Sequence, residues 1–210
     1  SLEALNTLVL DEADRMLDMG FLDDIATVTK QCPKERQTLL FSATYPEGIA
    51  NIAKQFMREP QTIKVESQHA ENLIEQRFYQ VTRESRLPTV ALLLNHFRPV
   101  STLAFCNTKN QCRELVTLLQ AQGFSALALY GDLEQRERDQ VLVQFANRSC
   151  SVLVATDVAS RGLDIDQLEA VINVDVTPDA EIHIHRIGRT GRAGETGLAL
   201  NLASMDEMGF

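Results

Sequence analysis

Short apolar runs alternate with longer stretches of helical spacing along this chain of 210 residues. That alternation is typical of βαβ units, in which parallel strands form a sheet covered by helices. The sequence therefore predicts an α/β fold of parallel sheets flanked by helices. The predicted strands are 5–10, 37–41, 62–65, 76–81, 102–106, 125–129, 151–155, 170–174 and 197–202. The predicted helices are 14–30, 46–57, 87–97, 108–122 and 134–145, with Thr108 as an N-cap and Gly123 as a stop.

The segment 66–74 is polar at first and has no clear period, so we interpret it as a linker between two lobes. The predicted domains are residues 1–68, a linker at 69–75, and residues 76–210. Polar segments follow strands in both lobes. Because ligands of parallel sheets gather at the carboxyl ends of strands, these segments are the candidate site residues.

Composition sets limits on the class of protein. No apolar run reaches the length of a membrane span, which argues against a membrane partner. The four cysteines form no C-x-x-C pair, so a zinc site and a disulfide scaffold are both disfavoured, and reduced thiols in the cytoplasm are expected. The net charge of −9 argues against nucleic-acid binding by bulk electrostatics. Residues 76–210 nevertheless carry 13 of the 20 lysines and arginines, which leaves room for a local basic groove.

Two segments at opposite ends of the chain suggest a nucleotide. Arg186, Arg189 and Arg192 recur every three residues, and each guanidinium is a planar fork suited to phosphate oxygens. Residues 11–14 (DEAD) follow an apolar strand, as in a Walker B segment, and their carboxylates can hold a metal ion. The alternatives are a solvated basic turn and an acid-rich helix N-terminus, which the helix dipole favours in any case.

Three further polar segments follow predicted strands. Ser42 and Thr44 offer two hydroxyls, although taken alone this segment is better explained as a helix N-cap region before Pro46. Residues 131–138 enter a helix whose first amides could bind phosphate, or they form a capped surface helix. Residues 156–164 place a hydroxyl, acids, an arginine and a glycine close together, which favours function.

Taken together, these segments resemble the motifs of the DEAD-box RNA helicases of superfamily 2. The resemblance covers essentially the whole chain, with motifs in order at 11–14 (DEAD), 42–44 (SAT), 105–109 (FCNTK), 131–138 (GD-x-x-QRER), 156–164 (TD-x-x-x-RG-x-D) and 185–194 (HRIGRTGRAG). Any one motif is weak, whereas six in order are specific. The 105–109 and 131–140 segments are most similar to a bacterial subgroup that a separate C-terminal domain directs to ribosomal RNA, which implies a role in ribosome assembly.

The resemblance implies two RecA-like lobes, with ATP and RNA bound across their cleft. Asp11 would position Mg²⁺, and Glu12 would activate the attacking water. Arg189 and Arg192 would be arginine fingers on the phosphates, and Asp164 would contact the ribose.

The family pattern also implies two sets of residues that do not carry out the chemistry. The set that couples the nucleotide to lobe closure would be Asp14, Ser42, Thr44 and His185. The set that lines the RNA path, mostly along the sugar–phosphate backbone, would be Asn107, Gly131, Arg138, Thr156 and Gly162.

The sequence departs from the family in two places. Tyr130 stands where the family usually has histidine. The family's phosphate-binding loop, G-x-x-x-x-G-K-[ST], occurs nowhere in the 210 residues. We therefore expect a fragment, comprising the back part of lobe one and most of lobe two. Little or no ATP hydrolysis by this chain alone is expected, with residues 1–68 as its less stable part. The alternatives are a non-catalytic RNA-binding module and a DNA-directed member of the superfamily.

Overall fold

The computed structural model describes residues 2–42, 47–64, 74–160, 168–191 and 196–207. The chain divides into two compact units, Ser1–Ser67 and Gln68–Phe210. In the described ranges, no helix is long and apolar enough to cross a membrane. All four cysteines are free thiols with buried side chains.

The first unit is built on a parallel pair of strands, β1 (Thr7–Leu10) and β2 (Gln37–Leu40), with Thr7 opposite Gln37. Its helices are α1 (Ala13–Asp18), α2 (Leu22–Lys30) and α3 (Glu47–Phe56). Apolar side chains from all three helices pack on β1 and β2, and the buried members of this core are Leu10, Ala13, Ile25, Ile49, Ile52 and Phe56. This arrangement leaves the carboxyl ends of β1 and β2 side by side.

Two predictions for the first unit are wrong. The helix predicted at 14–30 is interrupted, because Gly20 has φ +74°, a left-handed conformation that ends α1 and lets the chain turn into α2. The strand predicted at 62–65 is not formed by Thr62–Lys64. A strand needs a neighbour for its backbone hydrogen bonds, and β1 and β2 pair only with each other in the described part of this unit. Val65 lies outside the described residues.

The second unit contains a six-stranded sheet in the order β3-β8-β7-β4-β6-β5, and every neighbouring pair is parallel. The prediction of parallel sheets flanked by helices is therefore confirmed. The strands are β3 (Ile74–Gln80), β4 (Thr102–Phe105), β5 (Ala126–Leu129), β6 (Val152–Ala155), β7 (Ala170–Asn173) and β8 (Gly197–Ala203).

Helices cover both faces of this sheet. The helices are α4 (Arg86–Phe97), α5 (Lys109–Ala121), α6 (Gln135–Ala146), α7 (Asp157–Ser160) and α8 (Ala180–Ile187), and a 3₁₀ helix spans Met205–Glu207. Buried side chains of α4 and α5 pack on one set of strand residues, and those of α6 and α7 pack on the alternate set. The central strands β4, β6 and β7 are therefore wholly buried, as their continuous apolar sequences predict.

Local capping explains several helix boundaries. The Thr108 side chain accepts a hydrogen bond from the Gln111 amide at 3.2 Å and begins α5, and Gly123, at φ +86°, follows the end of that helix. Both predictions are confirmed. The helices α7 and α8 were not predicted as separate elements. Asp179 caps α8 by accepting from the amides of Glu181 and Ile182 at 2.8 and 3.2 Å.

Candidate functional site

The parallel pairing of β1 and β2 brings two of the sequence motifs into contact. Asp11 directly follows β1, and Ser42 lies two residues after β2. The Ala13 amide donates to the Phe41 carbonyl at 3.0 Å, and the Asp14 amide donates to Ser42 Oγ at 3.2 Å. Ser42 thus satisfies a first-turn amide of α1 that has no partner within that helix. Thr44 lies outside the described residues.

The backbone of Glu12 adopts a left-handed conformation, with φ 51° and ψ 45°. This conformation is unfavourable for a residue with a Cβ and is concentrated at functional sites. It allows the Glu12 amide to donate to Asp11 Oδ1 at 2.9 Å while α1 starts one residue later. The turn therefore fixes the Asp11 carboxylate at the end of β1.

The residues at this turn fit a divalent cation such as Mg²⁺. The Asp11 side chain is exposed, and its second carboxylate oxygen has no hydrogen bond among the described residues. A carboxylate oxygen is the kind of ligand that Mg²⁺ prefers, directly or through water. Clusters of three or more metal-ligating side chains are not found in the described ranges.

In the second unit, three predicted RNA-binding residues lie at the carboxyl ends of neighbouring strands. Asn107 follows β4, Gly131 follows β5 and Thr156 follows β6, and these strands are adjacent in the order β4-β6-β5. Asn107 and Gly131 are exposed, and Thr156 is half-buried. Arg138, on α6, donates from Nη2 to the Ala159 carbonyl at 2.6 Å and so links α6 to α7. The remaining predicted RNA-binding residue, Gly162, lies outside the described residues.

The first arginine of the cluster is buried within the fold. Arg186, in the last turn of α8, is only 2% exposed. Its Nε and Nη2 donate to the two carboxylate oxygens of Asp157, each at 2.7 Å, and Nη1 donates to the Asp175 carbonyl at 2.6 Å. The expectation that Arg186 is available to phosphate is therefore wrong. The guanidinium is used to anchor α8 to the carboxyl edge of the sheet.

The anchor fixes the helix that carries the other residues of the motif. His185 lies on α8 and Arg189 just after it, and both are half-buried. Arg192 and Asp164 lie outside the described residues. His183, on the same helix, contacts Gln76 through Nε2 at 3.0 Å. Burial, and then the nearby charge of Arg186, lower the pKa of His183.

A second buried ionic network was not predicted from the sequence. Arg86 Nη1 donates to Asp175 Oδ1 at 2.6 Å, and Arg86 also pairs with Glu207. The same carboxylate of Asp175 accepts from the Asn107 amide at 3.0 Å and from Gln111 Nε2 at 3.0 Å. An acid directly after an apolar strand was the available signal for Asp175. Nothing local in the sequence marks Arg86, which lies 89 residues earlier.

Burial and hydrogen bonding shift the pKa of Glu207, a member of this network, in opposite directions. Burial raises the pKa of Glu207, but hydrogen bonds from Arg86 and Ser204 outweigh burial and leave the pKa below its ordinary value. A cleft of about 1250 Å³ opens beside the network, and its lining includes Thr82, Arg86, Asn107, Gln111 and Glu207. Because Asp175 accepts from the Asn107 amide, the network holds the Asn107 backbone beside this cleft.

Comparison with known proteins supports the family resemblance that these motifs indicate. The family described as helicase conserved C-terminal domain matches residues 85–194, and the DEAD/DEAH box helicase family matches residues 1–52. The ATP-dependent RNA helicase DbpA of Escherichia coli is 54% identical over 207 residues, which are 99% of this chain and 45% of that protein. The ATP-dependent RNA helicase CshA of Listeria monocytogenes is 45% identical over 210 residues, which are 100% of this chain and 40% of that protein.

A solved structure supports the fold assignment. The structure of S. cerevisiae Dbp5 bound to RNA and ADP BeF3 is similar with a TM-score of 0.85 at 30% identity, covering 97% of this chain and 55% of that one. The chain belongs to the DEAD-box RNA helicase family. The bacterial subgroup that its sequence resembles is the DbpA type, and the identity to DbpA confirms that resemblance. The chain spans less than half the length of these curated relatives.

Proposed function

We propose that the chain is part of an ATP-dependent RNA helicase that couples ATP binding and hydrolysis to local unwinding of RNA duplexes. The observation that carries this proposal is that, within each unit, family motifs lie at the carboxyl ends of parallel strands, two in the first unit and three in the second. In the first unit these are the DEAD and SAT segments, joined by the hydrogen bond from Asp14 to Ser42. In the second unit Asn107, Gly131 and Thr156 share one edge of the sheet.

For the nucleotide chemistry, we propose that Asp11 holds Mg²⁺ and that Glu12 orients and deprotonates the attacking water. The bound ion would neutralise charge on the β- and γ-phosphates. Arg189 and Arg192 would stabilise the charge that develops on the transferred phosphoryl group, and such arginine fingers are worth about 10³–10⁵ in rate. Asp164 would accept a hydrogen bond from the ribose. The anchoring of α8 by Arg186 supports the placement of Arg189, because it fixes the end of that helix.

For RNA, we propose contacts along the sugar–phosphate backbone by Asn107, Gly131, Arg138, Thr156 and Gly162. Polar groups and an open glycine at the ends of strands suit phosphate and sugar, and such contacts position a nucleic-acid strand without reading its sequence. Asp14, Ser42, Thr44 and His185 would couple nucleotide state to RNA state. The hydrogen bond from Asp14 to Ser42 supports this role, since a shift of either motif would move the other.

We further propose that residues 1–68 and 76–210 correspond to the family's first and second RecA-like domains, joined by a linker at 69–75. From the resemblance of segments 105–109 and 131–140 to the bacterial subgroup that is directed to ribosomal RNA, we also propose a cytoplasmic role in ribosome assembly, with ribosomal RNA as the target. By itself, this chain is expected to hydrolyse ATP at background rates. The reason is that its sequence has no G-x-x-x-x-G-K-[ST] loop to hold the β- and γ-phosphates.

The first test measures RNA binding by the purified chain. Fluorescence polarisation of a labelled single-stranded RNA 12-mer should show weak, salt-sensitive binding. The N107A variant should bind less tightly. N95A is its matched control, since Asn95 is an exposed asparagine on α4 ahead of the amino end of β4. Equal binding by N107A, N95A and the wild type would count against the proposed RNA path.

The second test measures phosphate release from ATP, with and without that RNA. Background rates in both conditions agree with the proposal, whereas RNA-stimulated release would show that another segment of this chain holds the nucleotide. A DNA 12-mer of the same sequence separates the RNA helicase from a DNA-directed enzyme, because discrimination requires contact with the 2′-hydroxyl. RNA binding that no nucleotide alters would instead favour a non-catalytic RNA-binding module.

A further inference from the structure

Tyr130, which replaces the histidine usual in the family, has a specific partner in this chain. The guanidinium of Arg113, on α5, lies 4.7 Å from the centre of the Tyr130 ring. Arg113 Nε also donates a hydrogen bond to Tyr130 Oη at 3.0 Å. A ring contact and a hydrogen bond together fix the plane of the guanidinium, which a single contact would leave free to rotate.

A second contact between the same two segments lies on the other side of Gly131. Lys109 is one turn before Arg113 on α5, so the two side chains project from the same face of the helix. Lys109 forms an ion pair with Asp132. A hydrogen bond from Lys109 keeps the pKa of Asp132 below its ordinary value, with a smaller contribution from the charge of Arg113. The pairs Arg113–Tyr130 and Lys109–Asp132 therefore hold the Gly131 loop from both sides.

The space in front of Gly131 is open. A Cβ atom built on Gly131 would have no atom of the described chain within 4 Å, and its φ is not positive. Neither internal packing nor backbone conformation therefore requires glycine at this position. Close approach of a ligand does explain it, because a side chain would fill the space that the ligand's backbone needs.

Arg113 has unused donors beside this space. Its side chain is exposed, Nε is bound to Tyr130, and in the described part of the chain neither Nη1 nor Nη2 has a hydrogen-bond or ion-pair partner. The one acid in the loop, Asp132, is already paired with Lys109. The result is a guanidinium of fixed orientation, with up to four N–H groups available, next to an open glycine.

We propose that Arg113, held by Tyr130, binds a phosphate of the RNA strand that passes Gly131. The proposal rests on the proposed RNA function and adds to it a contact that the family motifs do not include. The Tyr130 ring and hydroxyl act as a positioning group. Arg113 supplies the charge, and its planar fork matches two phosphate oxygens.

The test is polarisation binding of the labelled RNA 12-mer to the full chain, at 50 to 200 mM salt. R113Q should weaken binding roughly five- to tenfold and reduce the slope of log K against log salt by about 0.7, the value for one phosphate contact on a single strand. R113K keeps the charge and should keep the slope. Y130F loses the hydroxyl alone, so it should weaken binding about twofold with an unchanged slope.

R98Q is the matched control, because it makes the same change of charge in the same unit. Arg98 follows α4, ahead of the amino end of β4, at the opposite edge of the sheet from Asn107. If R113Q binds RNA like R98Q while the wild type binds normally, the role of Arg113 is refuted and the proposed RNA function stands. If the wild type does not bind the RNA at all, both proposals fail. An equal loss in R113Q and R113K, with no change in slope, would assign Arg113 a purely structural role and would also refute the proposal.

Discussion

Replacing the Arg186 guanidinium tests how much the buried contacts of this residue stabilise the second unit. The arginine is 2% exposed and donates to both carboxylate oxygens of Asp157, each at 2.7 Å, and to the Asp175 carbonyl at 2.6 Å. Weaker bonds of 3.4 Å reach Asn173 and Asn107. In R186M a flexible apolar side chain replaces the guanidinium, and all of these acceptors lose their donor.

The expected loss of stability depends on which member of the ion pair remains in the fold without its partner. Breaking a buried ion pair by removing one member costs about 3–5 kcal/mol. In R186M the stranded group is Asp157, whose side chain is 30% exposed and can be hydrated, so the lower end, about 3 kcal/mol, is expected. D157A strands the guanidinium, which is 2% exposed, so about 4–5 kcal/mol is expected. The double variant should cost less than the sum by about 2 kcal/mol, because the two residues contact each other.

Urea unfolding followed by far-UV circular dichroism measures these differences. Hydrogen exchange with mass spectrometry assigns the transition to peptides of residues 74–207. R98Q again serves as the control, since it removes an exposed arginine without a buried partner. The reasoning fails if R186M unfolds within 1 kcal/mol of the wild type, or if R186M is clearly less stable than D157A.

Three further outcomes are expected. Glu207 has a folded-state pKa below its ordinary value of 4.5, so the stability that it contributes is present above that value and lost as the pH falls through the lower pKa. Urea midpoints from pH 7 to 3.5 should therefore fall less steeply for E207Q than for the wild type, and parallel curves would exclude the Arg86–Glu207 pair as a source of stability. G131A should keep the wild-type urea midpoint but bind the RNA 12-mer less tightly, and a loss of stability instead would mean that the space in front of Gly131 is not open. S42A should cost about 0.5–1.5 kcal/mol and speed exchange of the Asp14 amide, whereas unchanged exchange would argue against the 3.2 Å hydrogen bond.

The fold class and the positions of the polar motifs could be predicted from local sequence patterns. Continuous apolar runs of four or five residues, separated by helical spacing, allow little besides buried parallel strands, and β4, β6 and β7 are wholly buried. Local chemistry also fixed helix ends, as Thr108 shows at the start of α5. These features depend on neighbours within a few residues, so they can be predicted without knowledge of the rest of the chain.

The role of each polar side chain depends on long-range contacts that the folded chain creates. The arginines of the 185–194 motif look alike in the sequence, yet the Arg186 guanidinium pairs with Asp157, 29 residues earlier. The Arg86–Asp175 pair and the Arg113–Tyr130 stack also join residues that are far apart in the chain. A guanidinium is available to a ligand only if no carboxylate of the fold has already neutralised it. Whether a carboxylate lies close enough depends on the order of the strands in the sheet. That order cannot be predicted from local sequence.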